Sequence, residues 1–304
     1  MKVMITGSSG LLGLNLAVEA SKEHNVIGVD LAEINAKGFN TRIADLLTPG
    51  TIETLLDEEK PDWLIHCAAL ANIDACEENP EIAQRLNADL PGEIATSAHS
   101  KGVKMVYIST DAVFDGQKGD YLETDVPSPQ NHYAQTKLDG ERAVLDAAPD
   151  AIVVRVNFYG WSLSGNRSLA EFFFNNLGTG NPIKGFTDVY YNPMLVNDLA
   201  EILLQMLSKD LSGIYHMVSS EKLSKYDFAV KLANTFGFDA ELISPISVED
   251  MGLKGKRTNH LTLNTDKLSK DLNIQLPGID EGLKNFFQLF NSNYPTFIRQ
   301  MKKK

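Results

Sequence analysis

Tyr133 and Lys137 stand four residues apart in a segment of helical character, a spacing that places a phenol and an ammonium on one face of a helix. A cation beside a phenol stabilises the phenolate and lowers its pKa, which fits the pair for proton exchange with a carbonyl or alcohol oxygen near neutral pH. A hydroxyl to hold that oxygen is available at Thr110, which follows the apolar run Met105-Val-Tyr-Ile-Ser109. The same spacing also occurs among solvated surface pairs, so its chemical reading depends on an independent signature.

That signature is Gly7-Ser-Ser-Gly10-Leu11-Leu-Gly13, directly after the apolar strand Val3-Met-Ile-Thr6. Gly7 permits a tight turn, Gly10 a close approach of pyrophosphate to backbone donors, and Gly13 the packing of helix on strand. The helix opening at Leu11 offers unpaired amides and a positive dipole end to phosphates. A second strand, Asn25–Val29, ends at Asp30, 23 residues beyond Gly7. A carboxylate there accepts hydrogen bonds from a free adenosine ribose and repels a 2′-phosphate, which favours NAD(H) over NADP(H). The competing role for Asp30 is to open a turn.

With 304 residues and a formal charge of −12, the chain can bury a large core as one domain or two joined lobes. The acidic balance opposes a nucleic-acid surface, which is normally basic. Two cysteines, Cys67 and Cys76, make no disulfide framework, and six scattered histidines show no metal-ligand spacing, so no metal is expected. No apolar run is long enough to cross a bilayer and the start lacks a secretory segment, so the expectation is a cytoplasmic protein without membrane contact.

The positioning elements follow from alternation. Thr41–Ala44, Trp63–Ile65, Lys104–Ile108 and Ala151–Val156 continue the strand series with helical segments between them, which predicts an α/β, Rossmann-type doubly wound parallel sheet. Residues 1–156 then form the predominantly dinucleotide-binding region, and 157–304 a smaller substrate lobe with segments returning to the main domain. Asp45, Ala68 and Ala69 join Thr6, Asp30 and Thr110 at one sheet edge. Asp45 suits either the adenine region or a helix cap, and the two alanines either a close cofactor approach or plain packing. A helix from Pro80 to His99 carries Ile82, Leu86, Leu90 and Ile94 on one face, with Asn87 beside it, either bonded to backbone near that edge or on the surface. Glu141, one turn beyond Lys137, is a candidate ion-pair partner for it. Beyond an irregular run at 157–166, helices are expected at 197–208, 224–236 and 279–293, and Phe172, Phe173 and Phe174 on a helix too crowded to bury all three.

In the order Thr6-Gly7-Ser-Ser-Gly10-Leu-Leu-Gly13, Ala68-Ala69, Ser109-Thr110-Asp111-Ala-Val-Phe-Asp-Gly116 and Tyr133-x-x-x-Lys137, nearly the whole chain resembles the extended short-chain dehydrogenase/reductase superfamily, most closely the dTDP-4-dehydrorhamnose reductases. The resemblance implies NAD(P)H-dependent reduction of a nucleotide-linked 4-keto-6-deoxysugar. Tyr133 would be the acid, Lys137 its activator and ribose contact, and Thr110 the partner of the carbonyl. Asp111, Asn157 and Arg257 would meet the nucleotide-sugar substrate, Arg257 at a phosphate. Such reductases often use NADPH, against the electrostatic reading of Asp30. A 4,6-dehydratase is disfavoured because Ala112 stands where a second acid is expected. A nucleotide-sugar epimerase, and a noncatalytic regulatory subunit like that of methionine adenosyltransferase, are the alternatives, and a homodimer is compatible with the reading.

Overall fold

The strand segments around Val3-Met-Ile5, Val26–Val29, Trp63–Ile65, Met105–Ile108 and Ile152–Val156 are apolar on both sides, so they are stable only with both faces covered. In the computed structural model, which describes residues 1–251 and 258–303, seven strands form one sheet: β1 Lys2–Thr6, β2 Asn25–Asp30, β3 Asn40–Ile43, β4 Trp63–His66, β5 Lys104–Thr110, β6 Ile152–Val156 and β7 Gly213–Met217. Their order is β7-β6-β5-β4-β1-β2-β3, with every neighbouring pair parallel. Val3, Ile5, Ile65, Val106, Ile108 and Val154 face the helices Leu11–Ala20 and Val196–Ser208. Met4, Leu64, Met105, Tyr107 and Val153 face the helices Thr51–Glu59, Leu90–Ser100 and His132–Ala147. The order reverses between β1 and β4, and ligands of such sheets bind outside the carboxyl ends of the strands at this reversal.

All six expected strands form. β7 was not foreseen, because Gly213-Ile-Tyr-His-Met217 lies beyond the point where the alternation fades, and only its pairing with β6 makes it a strand of this sheet. Residues after Val156 divide between the two cores. The helices Val196–Ser208 and Asp266–Leu272 pack on the main sheet, whereas Leu169–Leu177, Lys225–Phe236 and Ile279–Asn291 enclose a separate aromatic core. Trp161 is fully buried there, stacked on Phe286 at 4.1 Å. Of the three adjacent phenylalanines, Phe173 is buried, Phe174 meets the Trp161 edge and Phe172 is exposed.

The expected helix Pro80–His99 is not one regular helix. It runs as Pro80–Gln84, a π turn Arg85–Asp89, and Leu90–Ser100. Pro91 accounts for the interruption: it has no amide to serve the carbonyl of Asn87 four residues earlier, and its ring crowds that carbonyl. The π turn shifts the helical register, so Leu90 and Ile94 are buried as expected while Ile82 is turned outward and Ala83 takes the inward position. Among the described residues no helix is long and apolar enough to cross a membrane.

Candidate active site

The glycine loop packs closely against the chain's own backbone. Gly7 has φ +69°, and a Cβ there would stand 2.7 Å from the Ala68 nitrogen. A Cβ on Gly13 would stand 2.2 Å from the Gly7 carbonyl oxygen. Gly10 occupies the N-cap of the helix beginning at Leu11 and supplies no side-chain cap, so the first amides of that helix face outward without a side-chain acceptor. Asp30, half-buried at the end of β2, braces the loop by accepting the Ser9 amide at 2.8 Å, and its other oxygen accepts the Ala32 amide at 3.0 Å. Of its two expected roles, the opening of a turn is seen in the Ala32 contact, and the carboxylate stands beside the glycine loop. Asp45 is exposed beyond β3 and accepts the Leu47 amide at 2.9 Å, a turn-capping contact. Ala69 is exposed and Ala68 half-buried beside Gly7.

Thr110 ends β5, and Tyr133 and Lys137 lie on the helix His132–Ala147, whose N-cap Asn131 accepts the Ala134 amide at 2.8 Å. Thr110 and Tyr133 line the same cavity. The Thr110 hydroxyl donates to Asp111 at 3.1 Å, and Asp111 accepts the Asn157 amide group at 2.6 Å. Burial pushes the Asp111 carboxyl up to about 6, against the opposing hydrogen bonds from Asn157 and Thr110. These side chains, with Ile73, Tyr190 and Lys225, line a cavity of about 210 Å³. A larger concavity of about 700 Å³ lies around Pro61, Trp63 and Lys104, at the opposite, amino ends of β4 and β5.

One expectation fails at this site. Tyr133 is not acidified: burial pushes its phenol up to about 12, the Asp111 and Cys76 charges add to this, and only Thr110 opposes it. Lys137 does not offset the burial because its ammonium is drawn inward, donating to the Ile108 carbonyl at 2.7 Å. Burial pulls Lys137 itself down to about 7. Glu141 is likewise not the partner of Lys137. It is buried in a two-pronged pair with Arg155 on β6, at 2.9 and 2.7 Å, tying the helix His132–Ala147 to the sheet. Asn87, whose placement was open, is buried: it receives the Leu70 amide at 2.9 Å and donates to the Leu70 carbonyl at 3.0 Å, fixing the segment after Ala69. Lys225 and Tyr190 were missed because a lysine and a tyrosine in a weakly patterned region carry no local signal. Arg257 lies outside the described residues.

A glycine cradle at the sheet reversal and a Thr-Tyr-Lys group two strands away define an extended short-chain dehydrogenase/reductase. Within that class the chain belongs to the RmlD substrate binding domain family, whose model it matches over residues 1–292. It is 31% identical over 289 residues to the probable low-salt glycan biosynthesis reductase Agl14 of Haloferax volcanii, covering 93% of this chain and 96% of that one. It is also 31% identical over 277 residues to methionine adenosyltransferase 2 subunit beta of Xenopus laevis, covering 88% and 82%. Among solved structures, dTDP-4-dehydrorhamnose reductase of Bacillus anthracis in complex with NADP matches with a TM-score of 0.86 at 27% identity, covering 94% of this chain and 98% of that one.

Proposed function

We propose that this protein uses NADH or NADPH to reduce the carbonyl of a nucleotide-linked 4-keto-6-deoxysugar. The observation that carries the reading is the junction of Thr110 and Tyr133 in one cavity with Lys137 a turn behind, at the same sheet edge as the glycine cradle. The loop fits a dinucleotide in that Gly10 leaves the first amides of the helix without a side-chain cap, and Gly7 and Gly13 let strand, turn and helix close up beneath them. Gly7, Gly10, Leu11, Gly13, Asp30, Asp45, Ala68 and Ala69 would hold it, with Tyr133 and Lys137 toward its nicotinamide end. The cofactor's contribution when bound is hydride for the carbonyl carbon.

The protein's own part is proton chemistry. The Thr110 hydroxyl orients the substrate oxygen, and Tyr133 gives it a proton as charge develops there. A phenol held near 12 is fully protonated at neutral pH, which a donor requires. Lys137, held inward on the Ile108 carbonyl, would contribute its charge to the phenolate left behind only at longer range. Asp111 and Asn157, joined at 2.6 Å, offer the sugar an acceptor and a donor on the far side of Thr110. For the cofactor, Asp30 favours an unphosphorylated ribose, and Arg42 on the adjacent strand is engaged by Glu59 at 2.5 Å.

The relative named as methionine adenosyltransferase 2 subunit beta supports a second reading, in which the chain binds a cofactor and acts through a protein partner. The test is a panel of nucleotide-4-keto-sugars incubated with NADH and with NADPH, followed by product identification. Cofactor oxidation with a reduced sugar supports the reductase. Isomerised sugar without net oxidation identifies an epimerase, and cofactor binding without turnover of any sugar favours the regulatory reading.

A further inference from the structure

We propose that Tyr107 is the positioning residue for Lys137: its buried ring carries the ammonium at the carboxyl end of β5, and its hydroxyl is anchored on the Asn87 carbonyl. The Lys137 Nζ lies 4.0 Å from the centre of the Tyr107 ring, which is fully buried. The Tyr107 hydroxyl donates to the Asn87 carbonyl at 2.7 Å. That carbonyl can take it because the residue four positions on is Pro91, which has no amide to offer. Gly140, on the same helix as Lys137, clears the space: a Cβ there would stand 2.2 Å from the Asn87 oxygen and 2.3 Å from the Tyr107 hydroxyl. The interrupted helix, the tyrosine and the glycine thus meet at one point directly beneath the lysine.

The arrangement answers an electrostatic need. Taking an ammonium out of water disfavours its charge, and an aromatic face is a compact group that favours it without a proton of its own. The titratable groups around Lys137 are Glu141 on its own helix, His66 on β4, Cys67 just after it, and Tyr107 on β5. Glu141 favours the charged lysine, but both its oxygens are already held by Arg155. His66 is neutral, its Nδ1 paired with the Thr6 hydroxyl at 2.8 Å. Besides the Ile108 carbonyl, which accepts from Nζ at 2.7 Å, the ring of Tyr107 is therefore the contact that favours the ammonium form of Lys137 at this place.

The kinetic consequence rests on the reductase reading, so the decisive measurement is made on the cofactor-free full chain. Lysine labelled at Cε with carbon-13 reports the Lys137 titration by NMR, assigned by its loss in Lys137→Arg. Tyr107→Phe keeps the ring and should hold the midpoint within about 0.2 pH units of wild type. Replacing Tyr107 with 3,4,5-trifluorophenylalanine keeps the shape and drains the ring face of negative charge, and should lower the midpoint by roughly half a pH unit. An unchanged midpoint in the fluorinated protein, or an equal fall in Tyr107→Phe, overturns the proposal. Neither outcome depends on whether any sugar is turned over.

Discussion

At the scale of single residues, Tyr133 has the most exposed role. Tyr133→Phe removes the proton and keeps the ring, so turnover should fall by roughly 100-fold to 10,000-fold while cofactor affinity, measured by fluorescence titration, stays close to wild type. Turnover within a few-fold of wild type would remove Tyr133 as the donor. In the proposed function Asp30 sets the cofactor preference. Wild-type protein should show the higher kcat/KM with NADH, and Asp30→Ala should narrow the NADH-to-NADPH ratio, modestly because the side chain is half-exposed and salt screens it. The same substitution also removes the brace on the Ser9 amide, so affinity for both cofactors should drop somewhat. A wild-type preference for NADPH would refute the assignment and leave the fold untouched.

At the scale of elements, the helix His132–Ala147, which carries Tyr133 and Lys137, is held against the π turn by an absence. Gly140→Ala would push a methyl group into the Asn87 carbonyl and the Tyr107 hydroxyl, neither of which can retreat cheaply from a filled core. The expected cost is about 1–3 kcal/mol in urea unfolding, typical of overpacking. It should be accompanied by a loss of turnover larger than the loss of cofactor affinity, since the displaced helix carries Tyr133. An alanine variant as stable as wild type would show that the helix and π turn can part without strain.

At the scale of the whole molecule, acid stability is governed by histidines folded in their neutral form. Burial pulls His66 and His216 down to about 3, with the charges of Lys137 and Arg155 respectively adding to the effect. Their unfolded value is near 6.5, so between 6.5 and 3 the unfolded chain binds more protons than the folded one, and their contribution to stability is present above 6.5 and lost as pH falls toward 3. Asp111 and Asp198, both raised to about 6 by burial, work in the opposite sense and stabilise the fold on the acid side, so the decline should be gradual. Thermal melts should show Tm falling steadily below pH 6.5, with a shallower fall in His216→Asn. An identical slope in that variant would exclude His216 from the linkage.

What the sequence by itself determined was whatever is written in local spacing. Glycines separated by three residues, a strand before them and an acid ending the next strand specify a cradle, because turn geometry and strand period act over a few residues. Thr110, Tyr133 and Lys137 were legible for the same reason, each at an element's end or on one helical turn. What only the tertiary structure decided was the direction of each charge. Lys137 and Tyr133 share a helix face, yet the lysine bonds to Ile108 and rests on Tyr107, so the phenol is raised by burial and not lowered by its neighbour. Glu141 could not be assigned to Arg155, nor β7 to the sheet, because both partners are distant in sequence. Desolvation and long-range pairing depend on how the elements stack, and no window of neighbouring residues contains that information.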